Sequence, residues 1–139
     1  MKTSKAVKKF VQQRANGHCE YCLSPADFSP GPFAAEHIIP TMKGGSNDLD
    51  NLAFSCQGCN GHKFTSIAAL DPLTMQTVRL FNPRHDVWNE HFQWSEDFTY
   101  IIGITPVGRA TVERLQLNRP TLLNFRKALI AIGIHPPDF

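Results

Sequence analysis

No stretch of the 139 residues approaches the roughly 18 consecutive apolar positions of a membrane span. The first ten residues have lysines but no apolar segment behind them, so no secretory leader is expected. Cysteine is scarce, with four in all. They fall in two tight pairs, Cys19/Cys22 and Cys56/Cys59, and no secretion signal accompanies them, which argues against a disulfide framework. Net charge is only +2, too little to announce a nucleic-acid binder by itself. Internal repeats and low-complexity tracts are missing as well. What remains is a reduced, cytoplasmic α+β protein, short enough for one domain.

The charge that is present is unevenly placed. Residues 1–18 sum to +5, through Lys2, Lys5, Lys8, Lys9 and Arg14, with no acid. Residues 19–100 sum to −6 and the remainder to +3. Affinity for a phosphate backbone would therefore come from the two ends and from a bound cation. For Lys5, Lys8, Lys9 and Arg14 the plainer alternative is a solvated helix face.

Periodicity sets out the elements. Thr3 or Ser4 caps a helix whose apolar residues Val7, Phe10, Val11 and Ala15 follow helical spacing, and Asn16-Gly17 ends it. Phe33 to Ile39 alternates as a strand up to Pro40, placing Glu36 and His37 on opposite faces. A polar Gly44-Gly45 loop leads to a second strand, Leu52 to Ser55. A helix is expected from Gln57 to about Leu70, stopped by Asp71-Pro72. Further on, Met75 to Phe81 reads as a strand. His91 to Trp94 and Thr99 to Ile104 read as a hairpin, and Thr105-Pro106 and Arg119-Pro120 each start a helix. Trp88, Phe92, Trp94, Phe98 and Tyr100 are expected to build a small core in this second half rather than to stack on bases.

Two kinds of metal chemistry share 42 residues. Thiolates at two-residue separation suit a closed tetrahedral zinc site made of Cys19, Cys22, Cys56 and Cys59. Glu36, His37 and Asn60 are wrong for that site. They are right for a hard cation and a general base. A redox role for the cysteines is disfavoured, because neither pair sits between a strand and a helix of a βαβ unit.

The stretches Gly17-His18-Cys19-Glu20-Tyr21-Cys22, Glu36-His37-Ile38-Ile39-Pro40, Gly44-Gly45, Asn51-Leu52 and Cys56-Gln57-Gly58-Cys59-Asn60-Gly61-His62-Lys63 together resemble the HNH endonuclease family. The likeness is to its four-cysteine zinc subtype and covers about residues 14–64. It implies a ββα-metal (His-Me finger) core over 14–70, with an N-terminal helix. A hairpin plus two-helix extension over 71–139 would pack on that core to make a single domain.

The resemblance also implies roles. His37 would be the general base for phosphodiester hydrolysis. Glu36 and Asn60 would hold magnesium or manganese, and Asn51 would bind loop backbone and steady the histidine strand. By helix spacing, Lys63 lies one turn after Asn60 on the same face, where it would touch a phosphate, and His62 is either a secondary DNA contact or a surface residue. His62 lies roughly 200° around the helix from Asn60, so both cannot face one ion. His18, His85 and His91 lack partners at ligand spacing. DNA is the implied substrate, the oligomeric state is open between monomer and homodimer, and a non-catalytic zinc-stabilised nucleic-acid-binding module is the alternative.

Overall fold

The computed structural model describes residues 4–139, so Lys2 and Thr3 lie outside the described residues. Chain contacts divide it into two compact units. One runs through Ile67 and takes in Asn82–Asp86; the other comprises Ala68–Phe81 and Val87–Phe139. Among the described residues no helix is long and apolar enough to cross a membrane.

The first unit begins with α1 (Lys5–Arg14). Ser4 caps it, its hydroxyl accepting from Val7 N at 3.2 Å. That bond satisfies one of the amides a helix start leaves open. Val11 and Ala15 are buried, whereas Phe10 stays half out. Asn16 and Gly17 both take positive φ and turn the chain into the first cysteine pair. Strands β1 (Ala34–His37) and β2 (Leu52–Ser55) pair antiparallel, with Glu36 opposite Ala53 and His37 opposite Leu52. Every residue of β2 is buried, and Phe33 and Phe54 meet with ring centroids 5.1 Å apart. Helix α2 (Gln57–Lys63) follows directly.

Helix α2 is half the expected length. Gly58 and Gly61 weaken it from inside, and Phe64 then adopts φ 50°, ψ −120°, which no α-helix can continue. Lys43 Nζ donates to Thr65 O at 2.6 Å and holds the chain in that turn. Ala68–Leu70, expected as the last helical turn, is instead a strand, β3, paired with β4 (Thr77–Arg79). Helical periodicity over 64–70 thus lost to cross-strand pairing, a tertiary preference no local pattern reveals.

The second unit holds that hairpin, the short helix α3 (Trp88–His91), a second hairpin of β5 (Phe92–Trp94) and β6 (Ile101–Gly103), and helices α4 (Pro106–Leu115) and α5 (Pro120–Ala131). Thr105 caps α4 through Gly108 N at 3.0 Å. Gly108 has no space for a side chain, since a Cβ there would lie 2.0 Å from His91 O. The aromatic core forms around buried Phe92, with Trp88 at 5.1 Å and Phe81 at 5.2 Å, and Trp94 joins it through Trp88. Phe98 and Tyr100 do not join it. They flank the β5–β6 turn, where Phe98 has φ 64°, and both are nearly half exposed.

Asp71 is fully buried beneath the β3–β4 turn. It accepts two bonds from Arg109, at 2.9 and 3.0 Å, and others from Leu73 N and Thr74 Oγ1. The Arg109 bonds hold its carboxyl well below the usual carboxylate range. A depressed carboxyl stabilises the fold above its unfolded pKa and ceases to do so as pH falls through the folded one. Asp71→Asn should therefore lower Tm at neutral pH and flatten its fall toward acid. Thermal melts between about pH 2 and pH 7 check this; an unchanged profile would make the pair dispensable.

Candidate active site and metal centre

Cys19 and Cys22 lie in the turn after α1, which closes through Leu23 N to Cys19 O at 2.9 Å. Cys56 and Cys59 occupy the cap and first turn of α2, where Cys56 Sγ accepts from Cys59 N. All four are buried, and their sulfurs lie within 4.8 Å of one another. Cys22 and Cys56 are 3.7 Å apart, sulfur to sulfur. A zinc ion bonded at about 2.3 Å to four tetrahedral thiolates sets its sulfurs about 3.8 Å apart, so the cluster is of the size zinc takes. Burial pushes the Cys19 thiol well up and the neighbouring sulfurs do the same at Cys59, whereas hydrogen bonding within the cluster, from Cys19 first, draws Cys22 and Cys56 down. Four thiolates here need a cation.

The two residues inside the first cysteine pair reach the ββα unit. Glu20 Oε2 accepts from Phe54 N on β2 at 2.8 Å, and its other oxygen pairs with Arg84. Tyr21, wholly buried, donates its hydroxyl to Glu36 Oε1 at 2.5 Å. Sequence reasoning missed both residues, because no spacing rule marks the middle of a Cys-x-x-Cys pair.

Glu36 points inward, as strand alternation requires, and is 6% exposed. His37 is half-buried on the outer side. Both nevertheless line one cleft of about 360 Å³, together with Asn60, Pro40, Met42 and Phe64. They can do so because His37 is the last residue of β1, where the strand opens into the loop. Asn60 is not the cap of α2, a position Cys56 takes, so its side chain is available to the cleft. A carboxylate and an amide oxygen on one cleft are hard donors of the kind a magnesium-sized ion takes, the rest of its shell being water or phosphate. Burial pushes the Glu36 carboxyl up, and Lys63 and Tyr21 pull it back down.

Lys63 corrects the sequence reading. It is 1% exposed, not a surface phosphate contact, and its ammonium donates to Ile38 O at 2.8 Å with Glu36 Oε2 at 3.5 Å. Its four-carbon stem runs inward from the last turn of α2, where the Ile38 carbonyl and the Glu36 carboxylate offset the loss of water around the ammonium. Arg14 is also reassigned: its guanidinium donates to Leu49 O at 2.9 Å and Leu52 O at 2.7 Å, joining α1 to the start of β2. Lys5, Lys8 and Lys9 are exposed along α1, and exposed His62 does not line the cleft.

Asn51 is buried and spends its amide on backbone. Its Oδ1 accepts from Ile39 N at 3.0 Å, and its Nδ2 donates to Ile39 O and to Ser46 O, at 3.0 and 2.8 Å. One further side chain, not anticipated, touches the histidine: Asn47 Oδ1 lies 2.8 Å from His37 Nε2.

A strand pair carrying Glu36-His37, a helix carrying Asn60 and a four-sulfur cluster joining them make a ββα-metal arrangement. Residues 19–65 match the HNH endonuclease family. The matched segment spans both cysteine pairs, β1, β2, α2 and the cleft. Outside it the likeness continues in the Septu protein PtuB of Bacillus thuringiensis, 28% identical over 127 residues and 89% of this chain. The chain spans about half of that relative, 46% of its length. No solved structure matches the chain.

Proposed function

We propose that this chain is a metal-dependent HNH endonuclease that hydrolyses DNA phosphodiester bonds, with zinc in the cysteine cluster and both units forming one nuclease domain. The observation that carries the reading is the convergence of Glu36, His37 and Asn60 on a single cleft. A binding module has no use for a base and a hard-donor pair placed together.

His37 takes a proton from water, whose oxygen then bonds to phosphorus. The P–O3′ bond breaks with its electron pair on the departing oxygen, which solvent protonates, leaving a 5′ phosphate. Glu36 and Asn60 would hold magnesium or manganese, whose charge stabilises the phosphate and that oxygen when bound. Tyr21 and Lys63 fix the Glu36 carboxylate in one orientation from opposite oxygens. Lys63 also offsets the cost of burying that charge. Exposed Lys5, Lys8 and Lys9 supply sequence-independent contacts to the DNA backbone.

Supercoiled plasmid incubated with the protein and either cation should be nicked or linearised, and chelator should stop it. Plasmid that is bound but never cut would replace the reading with a zinc-stabilised nucleic-acid-binding module. Glu36→Ala and Asn60→Ala should each raise the cation concentration required. The double variant should lose far less than the sum, since residues acting through one ion form one unit. Zinc content, assayed in parallel, should be the same in all three. Unaltered cation dependence in Asn60→Ala would remove it from the ligand set.

A further inference from the structure

An imidazole offers a lone pair on only one nitrogen, and the hydrogen bond made by the other decides which. At His37 the other is Nε2, with Asn47 Oδ1 at 2.8 Å. A carboxamide oxygen only accepts, so this contact requires the proton to sit on Nε2. We propose that Asn47 is the positioning residue for His37, locking the ring in its Nε2–H form so that Nδ1 carries the lone pair that takes the proton from water. The proposal rests on the nuclease reading for its catalytic consequence, but not for the tautomer itself.

Asn47 is exposed, and an exposed amide is usually free to rotate away. Here the loop that carries it is fastened on both sides. Before it, Gly44 takes φ 89°, and Gly45 N donates to Pro40 O at 3.0 Å. Gly45 lies so close to the strand exit that a Cβ would stand 1.7 Å from Ile39 O and 2.9 Å from Asn51 Nδ2. Only glycine fits there. The Asn51 amide then clamps Ser46 O with one hand and both polar atoms of Ile39 with the rest. Ile39 is two residues from His37 and Ser46 is next to Asn47, so one buried side chain sets the spacing between base and partner. After Asn47, Asp48 N donates to Ser46 Oγ at 3.2 Å and Asn51 N to Asp48 O at 2.9 Å. The Gly44-Gly45…Asn51 pattern is thereby the frame that delivers Asn47 to the imidazole.

The test combines nitrogen-15 NMR of the His37 ring with steady-state kinetics on wild type, Asn47→Leu and Asn47→Asp. Wild type should show the Nε2–H tautomer. Asn47→Leu removes the acceptor at similar size; its ring should become a mixture of tautomers. Its kcat should fall about ten- to a hundred-fold, part of what a general base contributes. KM, zinc content and Tm should stay near wild type. Asn47→Asp restores an acceptor oxygen and should recover at least about ten-fold of the kcat that leucine loses. A merely structural loop residue would change Tm and KM and leave the ring spectrum alone. An Nδ1–H tautomer in wild type, or undiminished kcat in Asn47→Leu, overturns the proposal. If wild type cuts no DNA, the nuclease reading fails, while the ring spectra of wild type and Asn47→Leu still decide the role of Asn47.

Discussion

Cys19→Ser and Cys59→Ser are each expected to leave a chain without a stable fold in its first unit. The cluster sits between α1 and α2 and joins the two ends of the β1–β2 hairpin, so it closes the loop that carries Glu36 and His37 and fixes the start of the helix that carries Asn60. Structural zinc contributes on the order of 10 kcal/mol, comparable with the entire stability of a domain of this size. Without the metal, four buried sulfurs and a two-stranded sheet have little to hold them, since an isolated hairpin is marginal in water. Elemental analysis should find about one zinc per chain in wild type, and circular dichroism should show the variants and the chelated protein losing structure together. A zinc-free wild type that melts cooperatively in chelator would end this account.

His37→Ala is expected to cost about 10²–10⁴-fold in DNA cleavage, the usual contribution of a general base. The fold should survive, because the ring is half-buried at the strand end and makes its bond to an exposed side chain. Zinc content should not move, as the ring lies outside the sulfur cluster. DNA affinity should also hold, because the lysines of α1 are untouched. Plasmid cleavage, a filter-binding or anisotropy assay and zinc analysis on one preparation separate these effects. Cleavage within a few-fold of wild type would place the base elsewhere. His62 is then a poor substitute, being exposed and away from the cleft lining.

The parts of the first unit legible in the chain were those set by short-range chemistry. Two-residue cysteine spacing, alternation ending at Pro40, Ser4 before an apolar helical stripe and the Leu52–Ser55 run all describe local geometry, and each matches an observed element. The same holds for the Thr105 cap and the hairpin ahead of it. Misreadings came where a side chain had more than one use. Arg14 reads as a phosphate contact by the charge of its helix, and Lys63 by its charge and its place one turn after Asn60. Their long stems let them reach buried acceptors instead, which is invisible until Glu36, Ile38, Leu49 and Leu52 are placed around them.

The sequence by itself determined the donor types: soft thiolates in chelating pairs, and a carboxylate, an imidazole and an amide held apart from them. It did so because donor type and local spacing are properties of residues, whatever the fold. Tertiary structure alone decided how those groups are supported. Tyr21 reaches Glu36 across 15 positions and Lys63 reaches the same carboxylate from 27 positions on, and neither separation follows from any periodicity. Asn47 finds His37 because Gly45 lets the loop press against Ile39 and Asn51 fastens it there. The end of α2 at Lys63 belongs to the same class, since β4 competes with the helix for Ala68–Leu70 and is contributed by residues further along the chain. Hydrogen-bond partners in a buried site are chosen by what the folded backbone brings within about 3 Å, and that is a property of the assembled chain.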